Sequence, residues 1–223
     1  MRALLGAQTG GSSMYLFSRT RTAHPAHARN AMAFAVEVAK RVTDTTGLAV
    51  EPWMSVMSPG AGAITWATFF EHLEEWESAM GKLQADTAYG DSVEAADHFF
   101  TGPVDDLVVS MLTEMPEPDP AAPSLYVTSV RAVAAHGHLA AAIEHGMALA
   151  EAATRLGGLA TVFGVANTGP YGEVAWFTAA PSIAALEAAE GAVNSSAEFV
   201  GLVDSKGHVF QPGASQTRWL RLS

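Results

Sequence analysis

Two heptapeptides, DHFFTGP at residues 97–103 and GHVFQPG at residues 207–213, share a His-x-Phe core and a Pro/Gly turn, and their histidines stand 208 − 98 = 110 positions apart. That spacing is close to half of a 223-residue chain and constrains the fold more than any other feature. At the same offset Arg21 matches Arg131, Gly47 matches Gly157, Gly62 matches Gly172, Trp66 matches Trp176, Thr68 matches Thr178, Glu77 matches Glu187 and Gly81 matches Gly191. The matches sit at element ends and at equivalent strand positions, the pattern expected of one unit of about 100 residues present twice.

Hydrophobic periodicity gives both copies the same element order. Residues 15–21 alternate as a strand, and HPAHARNAMAFAVEVAKRV places Ala31, Phe34, Ala35, Val38 and Val42 on one helical face. AVEPWMSVM and AITWATFF follow as strands joined by SPGAG, then the acidic helix EHLEEWESAMGKL and the strand DLVVSML. The second copy reads LYVTSVRAV, AAAIEHGMALAEAATRL, LATVFGVAN, EVAWFTA, SIAALEAAEGAV and TRWLRL. Each copy is βαββαβ. Between them Pro116, Pro118, Pro120 and Pro123 crowd TEMPEPDPAAPS, a density that neither a helix nor a central strand tolerates. The division is therefore residues 1–113 as a first ferredoxin-like repeat with a flexible leader at 1–13, a Pro-rich linker at 114–123, and residues 124–223 as a second repeat.

A βαββαβ unit covers one face of an antiparallel sheet with helices and leaves the other bare, so two such sheets should meet. Along the second strand Glu51, Trp53, Ser55 and Met57 share one face, and offset 110 equates them with Thr161, Phe163, Val165 and Asn167. This face mixes aromatic and polar residues, as a barrel interior holding a small molecule would.

The element order and repeat register resemble the dimeric α/β-barrel superfamily in a fused, two-copy form, over about residues 14–223. That superfamily includes antibiotic biosynthesis monooxygenases, EthD-like and NIPSNAP-like proteins, muconolactone isomerase-like enzymes, and haem-binding chlorite dismutase and haem-degrading branches. LQADTAYGDSVEAADHFFTG, with Tyr89 and Phe100 echoed by Phe199 and Phe210, resembles the NIPSNAP-like tail after the second helix. The resemblance implies an α+β fold whose two antiparallel sheets pack as a pseudo-dimeric barrel. It carries no catalytic motif, and the superfamily's reactions differ widely.

The charge balance, 12 basic against 23 acidic residues, disfavours nucleic acid and anionic membrane surfaces. Zero cysteines exclude thiolate nucleophiles and Cys-ligated metals, and no apolar run approaches a membrane span, so a cytoplasmic protein is expected. The Gly6–Gly11 spacing carries Ser12 where a phosphate-binding loop needs lysine, the Glu71, Glu74, Glu75 and Glu77 set suits a helix start, and neither G-x-S-x-G nor a Rossmann fingerprint is present.

His98 and His208 are base candidates at the barrel mouths or, alternatively, anchors of the turn into the last strand. His24, His27, His136 and His138 have metal-ligand spacing without an evident third ligand, and His145 is an isolated residue of haem-ligand type. Trp53, Trp66 and Trp176 could stack on a planar substrate, and Arg19, Arg21 and Arg131 could hold an anion if their strand face points inward. With Glu51, Ser55, Met57, Phe163 and Asn167 they make up the expected binding set.

The resulting expectation is a protein that binds a small apolar, aromatic or polyketide-type metabolite. By resemblance it acts as a cofactor-independent monooxygenase or a cyclase/isomerase, with no cofactor and no metal. A non-catalytic binding or assembly protein and a haem-binding barrel are the alternatives, and association of the fused chain into a homodimer stays open.

Overall fold

The computed structural model describes residues 14–60, 62–117, 121 and 123–223. The leader at 1–13 with its Gly6–Gly11 spacing, and Pro118 and Pro120 of the linker, lie outside these residues. The first half runs β1 (Tyr15–Ala23), α1 (Ala28–Thr46), β2 (Val50–Val56), β3 (Ala63–Phe70), α2 (Leu73–Ala85), α3 (Thr87–Ala96) and β4 (Phe100–Met111). The second runs β5 (Tyr126–Val133), α4 (Leu139–Gly157), β6 (Thr161–Ala166), β7 (Glu173–Ala180), α5 (Ile183–Asn194), α6 (Ala197–Ser205) and β8 (Ser215–Arg221).

The eight strands close into one antiparallel barrel in the order β1-β3-β2-β8-β5-β7-β6-β4. Two seams join the halves: β2 pairs with β8, Val56 opposite Arg218, and β4 pairs with β6, Val109 opposite Ala166. Closure removes the sheet edges and covers the face that the helices leave bare. The C-terminal ends of β1, β2, β5 and β6 and the N-terminal ends of the other four strands share one mouth, here called the upper mouth.

α3 and α6, which the sequence periodicity does not resolve, are short and only weakly amphipathic. They begin where Asp86 and Ser196 cap them through the Tyr89 and Phe199 amides. The repeat is real but its offset is not constant. The left-handed C-caps of the long helices are Gly47 and Gly158, so 158 − 47 = 111 there, whereas the Gly62 and Gly172 carbonyls that receive the Ala23 and Ala134 amides differ by 172 − 62 = 110. Counted between equivalent positions, from Val56 to Ala63 and from Asn167 to Glu173, the β6–β7 connection is thus one residue shorter than its β2–β3 counterpart. Offset 111 holds through β1/β5, α1/α4 and β2/β6, and offset 110 holds from β3/β7 onward.

One residue of slip exchanges the two faces of a strand. Arg21 is therefore equivalent to Ala132 and Arg131 to Thr20, and Trp53 is equivalent to Gly164 rather than to Phe163. The helix-facing core of the first half joins Ala31 and Ala35 of α1 to Ile64, Trp66, Met54 and Phe100. Its second-half counterpart joins Ala150 of α4 to Phe163, Val174, Trp176 and Phe210. In both, an indole N–H is satisfied by a helix carbonyl: Trp66 Nε1 by Ala35 at 3.0 Å and Trp176 Nε1 by Gly146 at 2.8 Å.

Candidate functional site

The register separates the expected binding set into two groups. Trp66 and Trp176 lie between sheet and helices, as do Phe163, which is fully buried, and the strands' Arg19 and Arg21, whose backbone partners are Trp66 and Ile64. Arg19 pairs with Asp106 at 2.7 Å, and that hydrogen-bonded carboxylate holds its pKa above the ordinary value. Arg21 lies over the Phe100 ring at 4.7 Å and reaches Asp97 at 3.0 Å. Asn167 donates to Ser110 Oγ across the β4–β6 seam, and Met57, 65 % exposed with φ 48°, follows β2 in the turn. None of these seven points into the barrel.

Four do: Glu51, Trp53, Ser55 and Arg131. Ser55 is used locally, donating to the Gly60 carbonyl and accepting from the Ala63 amide, and Glu51 pairs with Arg221 at 2.7 Å. Trp53 lies on the face of Thr65, and Trp219, equivalent to Val109, donates its indole N–H to Ser129 Oγ at 2.9 Å. Large and small residues trade places between the halves, Trp53 against Gly164 and Trp219 against Val109, so one core fills without two-fold symmetric side chains. At Gly164 a Cβ would overlap both Val109 and the Ser110 carbonyl.

The polar centre of the interior stands at the upper mouth around Arg131. Its Nε donates to Glu173 Oε1, and its Nη1 lies 3.5 Å from Asp105. β4 and β5 are not neighbours, so the Asp105 contact crosses the barrel end and ties the halves together. The Glu173 hydrogen bond is the main cause that raises the Arg131 pKa, and it keeps the guanidinium charged. Glu173 is 4 % exposed, and its Oε2 is buried with no hydrogen-bond partner. Beside that oxygen stands Gly169, with φ 83°, where a Cβ would come to 3.0 Å from it. Arg131, Val133, Glu173, Gln211, Gly213 and Ser215 line a cleft of about 230 Å3 there.

Sequence reasoning missed Glu173, Asp105 and Trp219. Glu173 opens a strand read only for its place in the element order, and the constant offset equated Arg131 with a helix-facing arginine. The signal that could have found it is the Gly47 to Gly158 match, which reveals the extra residue.

The histidines form two equivalent pairs on the helix side. His27, at the start of α1, meets His98 edge-on at 5.4 Å between centroids, and His138, at the start of α4, meets His208 at 5.8 Å. His98 also packs on Phe99 at 4.3 Å. His24 accepts from the Ala26 amide and His136 is exposed. Among the described residues no group of three or more His, Cys, Asp or Glu side chains is arranged to hold a metal ion.

His145 takes the place of Phe34 on α4, 2 % exposed with its ring 6.0 Å from Phe210. A haem ligated there would need the space between α4 and the sheet. Phe163, Trp176 and Phe210 fill it, and the Phe163 ring already occupies the position a Cβ on Gly146 would take. These residues do not fit a haem at His145.

No protein-family model matches the sequence, and no curated protein matches it. Solved structures do match its fold. A candidate monooxygenase of Fusobacterium nucleatum subsp. nucleatum superposes with TM-score 0.69 at 8 % identity, covering 95 % of this chain and 94 % of that one. An anthrone oxidase-like protein gives 0.64 at 12 % identity, with 96 % and 93 % covered. The chlorite dismutase of Candidatus Nitrospira defluvii, as an R173E mutant, gives 0.54 at 12 % identity, with 96 % and 94 % covered. Among the described residues no helix is long and apolar enough to cross a membrane. The chain has the fold of the dimeric α/β-barrel superfamily, with both ferredoxin-like halves carried on one polypeptide.

Proposed function

We propose that the chain binds one small hydroxylated aromatic molecule at the upper mouth and oxidises it with dioxygen as a cofactor-independent monooxygenase. The observation that carries this reading is the Arg131–Glu173 pair: a buried carboxylate with one oxygen free of hydrogen bonds, held by a part-exposed guanidinium, both residues lining the same cleft. The names of the fold neighbours, candidate monooxygenases of Fusobacterium nucleatum and Lactobacillus acidophilus and an anthrone oxidase-like protein, point the same way.

Glu173 accepts a proton from an acidic methylene of the substrate, and Arg131 holds the resulting enolate oxygen. The anion then gives its electrons to dioxygen. The methylene carbon loses two hydrogens, one oxygen atom becomes its carbonyl, and the other leaves as water. The chemistry resides in the electron-rich anion, so the protein's part is to take the proton and hold the charge. The base role passes from His98 and His208 to Glu173, because both histidines face the helix side of the sheet. A cyclase or isomerase would share the proton step without consuming oxygen.

An oxygen electrode with a hydroxyanthrone tests this: one O2 should disappear per substrate above the autoxidation background. Glu173→Gln should lower the rate roughly 100-fold or more, the usual weight of a general base, while His98→Gln and His208→Gln keep it within about threefold. Loss of turnover in a histidine variant with full activity in Glu173→Gln would overturn the assignment.

A further inference from the structure

We infer that Asp105 is a built-in counter-ion that selects neutral over already ionised ligands at the Arg131 cleft, a specificity-determining role that rests on the site reading above. Two carboxylates share one guanidinium, and they are not equal partners. Glu173 is held directly by Nε and its side chain is 5 % exposed; Asp105 stands 3.5 Å from Nη1 and is 62 % exposed. The outer contact is the weaker one and the one a ligand can exchange.

Asp105 is not imposed by the fold. It sits where β4 resumes pairing with β1, opposite Thr20, after a register irregularity between Thr20 and Thr22. The equivalent position in the second half, opposite Arg131, is Ser215. The backbone there accepts an uncharged residue, so the carboxylate is a feature of one half alone.

The charges linked through the Arg131 guanidinium are Arg131, Glu173 and Asp105, a net of +1 − 2 = −1, and the neighbouring Arg19–Asp106 pair adds no net charge. An incoming carboxylate meets this excess negative charge and must displace Asp105 to reach the guanidinium. A neutral hydroxyl compound meets no such repulsion and can donate a hydrogen bond. Its charge then develops only after proton transfer, beside a cation from which Asp105 can swing away. Without Asp105 the net is zero and the discrimination should fall.

Calorimetric titration at low ionic strength and neutral pH, with 2-naphthol as the neutral probe and 2-naphthoate as the anionic one, tests the inference on the full chain. Wild type should prefer 2-naphthol. Asp105→Asn should raise affinity for 2-naphthoate roughly tenfold, leave 2-naphthol within about twofold, and lose the gain at high salt. Asp105→Ser, which borrows the Ser215 side chain, should do the same and guards against a fold defect peculiar to one variant. If 2-naphthol binds but the ratio of the two affinities stays at its wild-type value in both variants, the selecting role is wrong while the site stands. If neither probe binds wild type or variants of unchanged melting temperature, the cleft is not the binding site and both readings fail.

Discussion

Removing Arg131 should destabilise the protein more than removing the ion pair altogether. Glu173 has a side chain 5 % exposed, and Arg131, at 31 %, is its direct hydrogen-bond donor. Deleting one member of a buried pair leaves an uncompensated charge and costs about 3–5 kcal/mol; replacing both with apolar residues is often close to neutral. Partial exposure of the guanidinium places Arg131→Met at the lower end, about 3 kcal/mol, which for a chain of this size is roughly 6–12 °C in melting temperature. Glu173→Leu strands a cation that still has Asp105 and solvent and should cost about 1–2 kcal/mol. The double variant should return to within about 1 kcal/mol of wild type. Urea unfolding of the four proteins closes the cycle, with an expected coupling of about 3 kcal/mol or more. Single effects that add to within about 0.5 kcal/mol would refute the reasoning, since the two side chains would then not sense each other.

Three further outcomes follow from the packing and titration of the second half. Gly146→Ala should cost about 2 kcal/mol, because its Cβ overlaps the fully buried Phe163 ring; adding Phe163→Leu should recover part of the loss in the same unfolding assay. Burial pushes the His145 imidazole below its ordinary pKa, with Lys206 and His208 adding to the shift and Glu144 opposing it. The neutral ring therefore contributes stability that is complete above the unfolded pKa of about 6.5 and is lost as pH falls through that value to the folded one. His145→Phe, the residue the first half carries at Phe34, should flatten the fall in melting temperature between pH 7.5 and pH 5.5; an unchanged slope would place the acid sensitivity elsewhere.

The architecture was legible because it depends on patterns that survive divergence. His-x-Phe and the paired Gly62/Gly172 and Trp66/Trp176 mark the duplication, and the alternation in 49–57 and 63–70 gives the strands their two faces. The site was less legible because a face assignment carries over between halves only with the right register. Within the first half the face read as Glu51, Trp53, Ser55 and Met57 has its first three residues inward and Met57 in the turn beyond β2; transferred at 110 instead of 111, the reading turned Phe163 inward and Arg131 into the mate of Arg21. The residue that causes this is missing from a tight turn, where Gly and Pro composition tolerates length change without altering any periodic pattern. Asp105 was hidden differently: its partner across the barrel is 131 − 105 = 26 residues away in sequence, but the contact exists only because the barrel closes.

The comparison of halves also separates scaffold from site. Features present in both copies serve the same local job twice. The indoles of Trp66 and Trp176 tie a helix to the sheet, the His27–His98 and His138–His208 pairs sit at a helix start, and Phe100 and Phe210 pack on the indoles. Inward positions do the opposite. Thr20, Ala63 and Asp105 of one half correspond to Arg131, Glu173 and Ser215 of the other, so the two-fold relation of the backbone is not kept by the side chains where the barrel opens. A polar site built twice on a common axis would set two guanidiniums and two buried carboxylates against one another at one mouth, at a desolvation cost that grows with each uncompensated charge. A single Arg131–Glu173 pair with one exchangeable partner avoids that repulsion. The halves are therefore complementary at their centre rather than redundant: the second repeat lines the cleft, and the first reaches it through Asp105 because the barrel closes.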